Sequence, residues 1–133
     1  MRIYFDSVIA IYLLDHTGSF QARALARLAA LEPAGDFIIV SDITRLECRV
    51  KPIRLGDAAA LARFDAFFAR PDARHTPLTT AALDRATVLR ANLNFKLGDA
   101  LNLGAAIEGG CDLFLTNDHR LDRWKDILVE VLA

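Results

Sequence analysis

The sequence predicts an α/β fold in which helices flank a mostly parallel sheet. FIIVS, residues 37–41, is a continuous apolar run with β-branched members, the pattern of a strand buried on both faces. Strand and helix patterns alternate along the chain. The 133 residues are 53% hydrophobic and 25% charged, enough for one domain (1–133) with a real core and too apolar for a disordered chain.

The first element, RIYF, is a short aromatic strand. The apolar run that follows is too long for one strand, so a helix is expected from about Val8 to Leu14, with Ser7 at the turn. SFQARALARLAALE reads as a helix with Leu25, Leu28 and Ala29 on one stripe, ended by Pro33 and Gly35. After the strand at 37–41, a helix is expected over 42–50, capped by Ser41 or Asp42 and stopped with the help of Pro52. A long amphipathic helix follows over 55–70. Its Leu61, Phe64, Phe67 and Phe68 offer enough apolar area to face a partner as well as the core. HTPL suggests a short edge strand, and roughly 79–92 another helix. A helix from about Gly98 to Glu108 ends at Gly109–Gly110. DLFLT is a strand, NDHRLDRW a turn or short helix, and ILVEVL a last strand.

The formal net charge is −1, from 16 Lys and Arg against 17 Asp and Glu, which excludes a broadly cationic nucleic-acid binder but permits a local basic rim. Cys48 and Cys111 sit in apolar patterns and read as buried thiols, not a disulfide. The opening MRIYFDS carries Asp6 where a signal peptide would be apolar, and no apolar run reaches spanning length. A cytoplasmic protein with its native N-terminus and no membrane association is expected.

The chemistry lies in the carboxylates. Sites in open α/β sheets form beyond the carboxyl ends of the strands. Asp6 directly follows the first strand, Glu47 lies on the helix after the second, Asp99 opens the helix before DLFLT, and Asp118 follows that strand. Taken singly, each fits an ordinary role as a cap, a turn residue or a solvated helix face. Taken together, they can converge, and their mutual repulsion calls for a divalent cation. An oxygen-only set without His or Cys suits Mg²⁺ or Mn²⁺. Such ions serve phosphodiester hydrolysis by activating water and offsetting charge on the leaving oxygen.

Three blocks resemble the PIN-domain family of metal-dependent ribonucleases, and most of all the VapC toxins of VapBC toxin–antitoxin pairs: YFDSVIAIYLL, SDITRLECRVKP and GDALNLGAAIEGGCDLFLTND. The resemblance implies a three-layer α/β/α PIN-like domain. It implies Asp6, Glu47, Asp99 and Asp118 as catalytic, metal-holding acids, with Ser7, Thr116 and Asn117 around them. Mg²⁺ or Mn²⁺ would be the cofactor, RNA the substrate and the activity that of an endoribonuclease. The partners implied are a VapB-like antitoxin, which would carry any DNA contact, and a second copy of the chain. Two positions depart from the family pattern: Ser7-Val8 stands where Thr-Asn is common, and Asn102 where His is frequent.

Arg45, Arg49, Lys51 and Arg54 form a basic run around Glu47 that reads equally as an RNA-backbone contact or a solvated face. Arg45 and Lys96 are candidate substrate contacts. Tyr4, Tyr12 and Trp124 fit packing better than base stacking, and His16, His75 and His119 show no ligand spacing. Two other readings stay open: a PIN-like nuclease of RNA processing, and a receiver-like Mg²⁺-binding domain, although RIYFD lacks the adjacent acidic pair that such a domain needs.

Overall fold

In the computed structural model, which describes residues 1–15 and 18–132, five strands form one parallel sheet. Strand β1 (Arg2–Phe5) leads into α1 (Ser7–Leu14), α2 (Gly18–Ala29) and a single-turn α3 (Leu31–Ala34). Strand β2 (Phe37–Ser41) is followed by α4 (Asp42–Leu55) and α5 (Ala58–Phe68), and edge strand β3 (Ala73–Thr76) by α6 (Thr80–Leu93) and α7 (Leu97–Glu108). Strand β4 (Leu113–Thr116), a short 3-10 helix (His119–Arg123) and β5 (Leu128–Val131) complete the order.

The strand order is β3-β2-β1-β4-β5, and every pairing is parallel. The chain therefore runs outward from β1 to β3, then crosses to build β4 and β5 on the other side. The reversal makes the carboxyl end of β1 a switch point, where a crevice opens between diverging connections.

Alternation along the strands assigns the two faces. Ile3, Phe5, Ile38, Val40, Leu113 and Leu115 pack with Ile9 and Leu13 of α1, Ala24 of α2, Cys48 of α4, and Phe64, Phe67 and Phe68 of α5. Tyr4, Ile39 and Phe114 pack with Ala86 and Leu89 of α6 and Ala100, Leu103 and Ala106 of α7. The result is the three-layer α/β/α architecture. Tyr4 and Phe114 are register partners, and their rings stack at 5.4 Å between centroids. Both cysteines are free, Cys48 buried and Cys111 half-buried. No described helix is long and apolar enough to cross a membrane.

Two expectations are corrected. Helix α4 does not stop before Pro52 but continues to Leu55 and ends at Gly56, whose φ of 63° closes the last turn. Proline removes one intrahelical bond. Here its ring is buried, and its carbonyl accepts from Asp57 N at 2.9 Å in the glycine-terminated cap. The aromatic side chains of α5 do not face outward. Phe64, Phe67 and Phe68 are all buried in the chain's own core. The exposed apolar stripe lies instead on α4, at Leu46, Val50 and Ile53.

Candidate active site

Strand β1 ends at Phe5 and α1 begins at Ser7, so Asp6 is held at the sheet's carboxyl edge with no loop to soften it. Its side chain caps α1, accepting from Ser7 N at 2.8 Å on Oδ1. The other oxygen, Oδ2, accepts from Thr116 Oγ1 at 2.7 Å, a bond between the ends of β1 and β4. Asp6 is buried, and burial pushes its carboxyl up to about 7; the Thr116 bond opposes that rise, while the charges of Asp99 and Glu47 add to it.

Glu47 comes from α4. Its Oε1 accepts from Ser7 Oγ at 2.6 Å and from Asn102 Nδ2 at 2.7 Å. Oε2 has no hydrogen-bond partner among the described residues and lies against Gly98, where an added Cβ would stand 2.5 Å from it. The carboxylate of Asp99, in the first turn of α7, likewise has no hydrogen bond among the described residues. Its carboxyl is raised by burial and by the charges of Asp118 and Glu47, with Arg120 and Lys96 opposing.

Asp118 is differently placed. It caps the 3-10 helix through Arg120 N, and both of its oxygens are engaged by the Arg120 guanidinium, Nε to Oδ1 at 2.9 Å and to Oδ2 at 3.1 Å. That pairing holds the Asp118 carboxyl below the usual range. The fourth acid therefore carries its own counter-ion.

Asp6, Ser7, Glu47, Asp99, Asn117 and Asp118 line one open cleft of about 670 Å³ at the switch point, together with Arg120. The side chains stand apart in it: among the described residues no three His, Cys, Asp or Glu close into a ready-made metal cage. Thr116 lies just beneath, donating to Asp6 and accepting from Asp118 N at 3.2 Å. Asn117 donates Nδ2 to Tyr12 Oη at 2.8 Å, while its Oδ1 is buried without a partner among the described residues. Lys96 is exposed and borders a recess shared with Asp99 and Arg120.

Other sequence candidates fall elsewhere. Arg45 does not line the acidic cleft; it stands 3.9 Å from Asp65 on α5, because two residues on a helix turn a side chain well away from its neighbour's face. Arg49 binds the same Asp65 at 2.9 Å, and Lys51 pairs with Asp15. Tyr4 is fully buried and cannot stack on a base. The Tyr12 ring stacks on Phe20. His75 bonds Phe68 O from β3, His119 sits on the cleft lip, and His16 lies outside the described residues. The pattern alone did not mark out Arg120 or Tyr4 as part of this region. The only local trace of Arg120 is a cation two positions after Asp118.

A parallel sheet in this order, with acids gathered at its switch point, defines an open, doubly wound α/β domain with an acidic crevice. The PIN domain model matches residues 3–127, and the chain belongs to that family. Solved structures share the fold at low identity. A chain of VapBC2 from Rickettsia felis, bound to a DNA fragment from its promoter, matches with TM-score 0.79 and 17% identity over 98% of both chains. VapC20 of Mycobacterium tuberculosis, a toxin that cleaves the sarcin–ricin loop, matches with TM-score 0.78 and 14% identity, covering 95% of this chain and 98% of that one. A chain of FitAcB from Neisseria gonorrhoeae matches with TM-score 0.73 and 15% identity over 98% and 97%. No curated protein sequence matches significantly.

Proposed function

We propose that the chain is a divalent-metal-dependent endoribonuclease, the toxin of a toxin–antitoxin pair. The observation that carries the reading is the arrival of Asp6, Glu47, Asp99 and Asp118, far apart in sequence, in one cleft at the switch point. Membership in the PIN family and the fold shared with a sarcin–ricin loop-cleaving toxin support it.

The residues present fit Mg²⁺ or Mn²⁺. The donors are hard oxygens, and Glu47 Oε2 and both oxygens of Asp99 lack hydrogen-bond partners among the described residues. Asp6, Glu47 and Asp99 would hold the ion. Asp118, committed to Arg120, would act at longer range. Bound there, the ion supplies a water of lowered pKa and charge neutralisation at phosphorus. The chain's own groups do the rest. Ser7 and Thr116 fix the Asp6 carboxylate, and Ser7 and Asn102 fix that of Glu47. Lys96 and the exposed Arg120 stand at the lip, where an RNA phosphate would enter.

The test is incubation of the purified protein with total cellular RNA. Cleavage at discrete sites is expected with Mg²⁺ or Mn²⁺, lost in EDTA and restored by excess metal; cleavage indifferent to EDTA would overturn the reading. Arg120→Gln is expected to weaken RNA binding in Ca²⁺ across sequences and to lower the slope of log Kd against log salt by about one. An unchanged slope would remove Arg120 from the phosphate path.

The exposed Leu46, Val50 and Ile53 stripe on α4, rimmed by Arg45, Arg49 and Arg54, supports a protein partner, either the antitoxin or a second copy. The solved VapBC and FitAcB complexes of like fold favour the antitoxin reading. Expression without its antitoxin is expected to stop growth. Harmless accumulation of cleavage-competent protein would favour a nuclease of RNA processing instead.

A further inference from the structure

We propose that Tyr4 and Asn102 form a buried relay that positions Glu47 for metal binding, with Tyr4 acting only through Asn102. The inference rests on the metal-dependent reading above and adds two positioning residues to it.

Asn102 is buried on α7, and its amide faces two chemically opposite walls. On one side stand Glu47 Oε1 at 2.7 Å and Gly98 O at 3.0 Å, both acceptors for its NH₂ group. On the other side stand two hydroxyls, Tyr4 Oη at 2.6 Å and Thr44 Oγ1 at 3.5 Å. Only one orientation of the amide satisfies both walls. The reverse would set a carbonyl oxygen against a carboxylate and a second carbonyl.

The two acceptors set that choice, and Tyr4 reinforces it from the other side. Its hydroxyl has one hydrogen, and Asn102 Oδ1 has none to give, so the hydrogen goes to Asn102. Ser41, at 2.6 Å, then donates to the Tyr4 oxygen, while Thr44, 3.1 Å away, shares its one hydrogen between that oxygen and Asn102 Oδ1. Both are already anchored. Ser41 Oγ accepts from Ile43 N, and Thr44 Oγ1 from Ser41 N, in the capping box that starts α4. The orientation set by Glu47 and Gly98 is thus backed by the ends of β1 and β2 and the first turn of α4.

The consequence falls on Glu47. With Asn102 Nδ2 and Ser7 Oγ both donating to Oε1, that oxygen is held and Oε2 is left against Gly98 without a hydrogen-bond partner among the described residues. Groups that orient a metal-holding side chain typically contribute about 10–100-fold in metal affinity.

The test uses Mn²⁺ binding by calorimetry on wild type, Y4F, N102A and the double variant, with thermal melts as a check on folding. Y4F and N102A are each expected to weaken Mn²⁺ binding about tenfold or more. The double variant is expected to match N102A, since Tyr4 has nothing left to act through. Wild-type affinity in folded Y4F, or losses that simply add in the double variant, would overturn the relay. Should Y4F not fold, N102A decides alone, and unaltered Mn²⁺ binding in it is the overturning result. A metal-free readout separates this inference from the reading beneath it. The Asn102 side-chain amide should exchange slowly with solvent in wild type and fast in Y4F; equally slow exchange in folded Y4F counts against the relay. If wild type binds no Mn²⁺, the nuclease reading falls and the relay's part in metal binding falls with it.

Discussion

Asp6→Asn is expected to reduce metal-dependent RNA cleavage by roughly a thousandfold or more, and also to make the metal-free protein more stable at neutral pH. Loss of activity and gain of stability have one cause. In the folded chain, burial and the charges of Asp99 and Glu47 push the Asp6 carboxyl up to about 7 against an ordinary value of 3.8. Between these two values the unfolded chain has released its proton and the folded chain retains it. Folding stability therefore falls as pH rises through this window, by at most about 1.4 kcal/mol per unit, and levels off above pH 7. Below pH 4 the group is neutral in both states and costs nothing. The accumulated penalty at pH 8 is on the order of 4 kcal/mol. Asparagine removes the charge and keeps a carbonyl to accept from Ser7 N, while Thr116 Oγ1 can turn to accept from the new amide. Chemical denaturation in EDTA from pH 4 to pH 8 should show wild type losing stability and D6N losing much less. Added Mg²⁺ should stabilise wild type at pH 8 and leave D6N nearly unmoved. A pH profile shared by both proteins would contradict the placement of this carboxyl among like charges.

Gly104→Ala is expected to destabilise the protein by about 1–3 kcal/mol, although alanine is the better helix former. Gly104 is buried in α7 where α6 crosses closely. An added Cβ would press into the Ala82 carbonyl oxygen and sit 3.4 Å from Ala86 N. Those atoms are backbone and cannot rotate aside, so the two helices must separate. Separation also disturbs Leu89, Ala100 and Leu103, which fill the core between these helices and the sheet. Because α7 carries Asp99 and Asn102, the same shift should weaken Mn²⁺ binding. Urea denaturation and calorimetry on G104A check both effects. Wild-type stability would show that the helices have slack at this crossing.

Much of this was legible one-dimensionally. FIIVS and DLFLT became β2 and β4, and the edge strand suggested by HTPL overlaps β3. Asp6 stands directly beyond β1, Asp118 two residues beyond β4, and Asp99 in the first turn of a helix, close to where the local patterns put them. The pattern ends α4 before Pro52 because proline punctuates helices in water, whereas here burial of its ring and the Gly56 cap carry α4 past it. The α5 aromatics read as partly outward-facing because amphipathicity reports how wide an apolar face is, not how much of it the rest of the domain covers.

The sequence by itself determined the order of elements, the parallel α/β class and the nearness of four acids to strand ends and helix starts. These follow from periodicities of two and 3.6 residues and from caps, which are properties of short segments. Only the tertiary structure decided what each acid does with its oxygens. Asp118 is taken by Arg120, Glu47 is held by Ser7 and Asn102, Asp6 by Thr116, and the Asp99 carboxylate has no hydrogen bond among the described residues. Several of these partners lie 40 to 110 residues apart. Pairing over such distances depends on side-chain direction and local exclusion of water, which arise only when the helices close on the sheet.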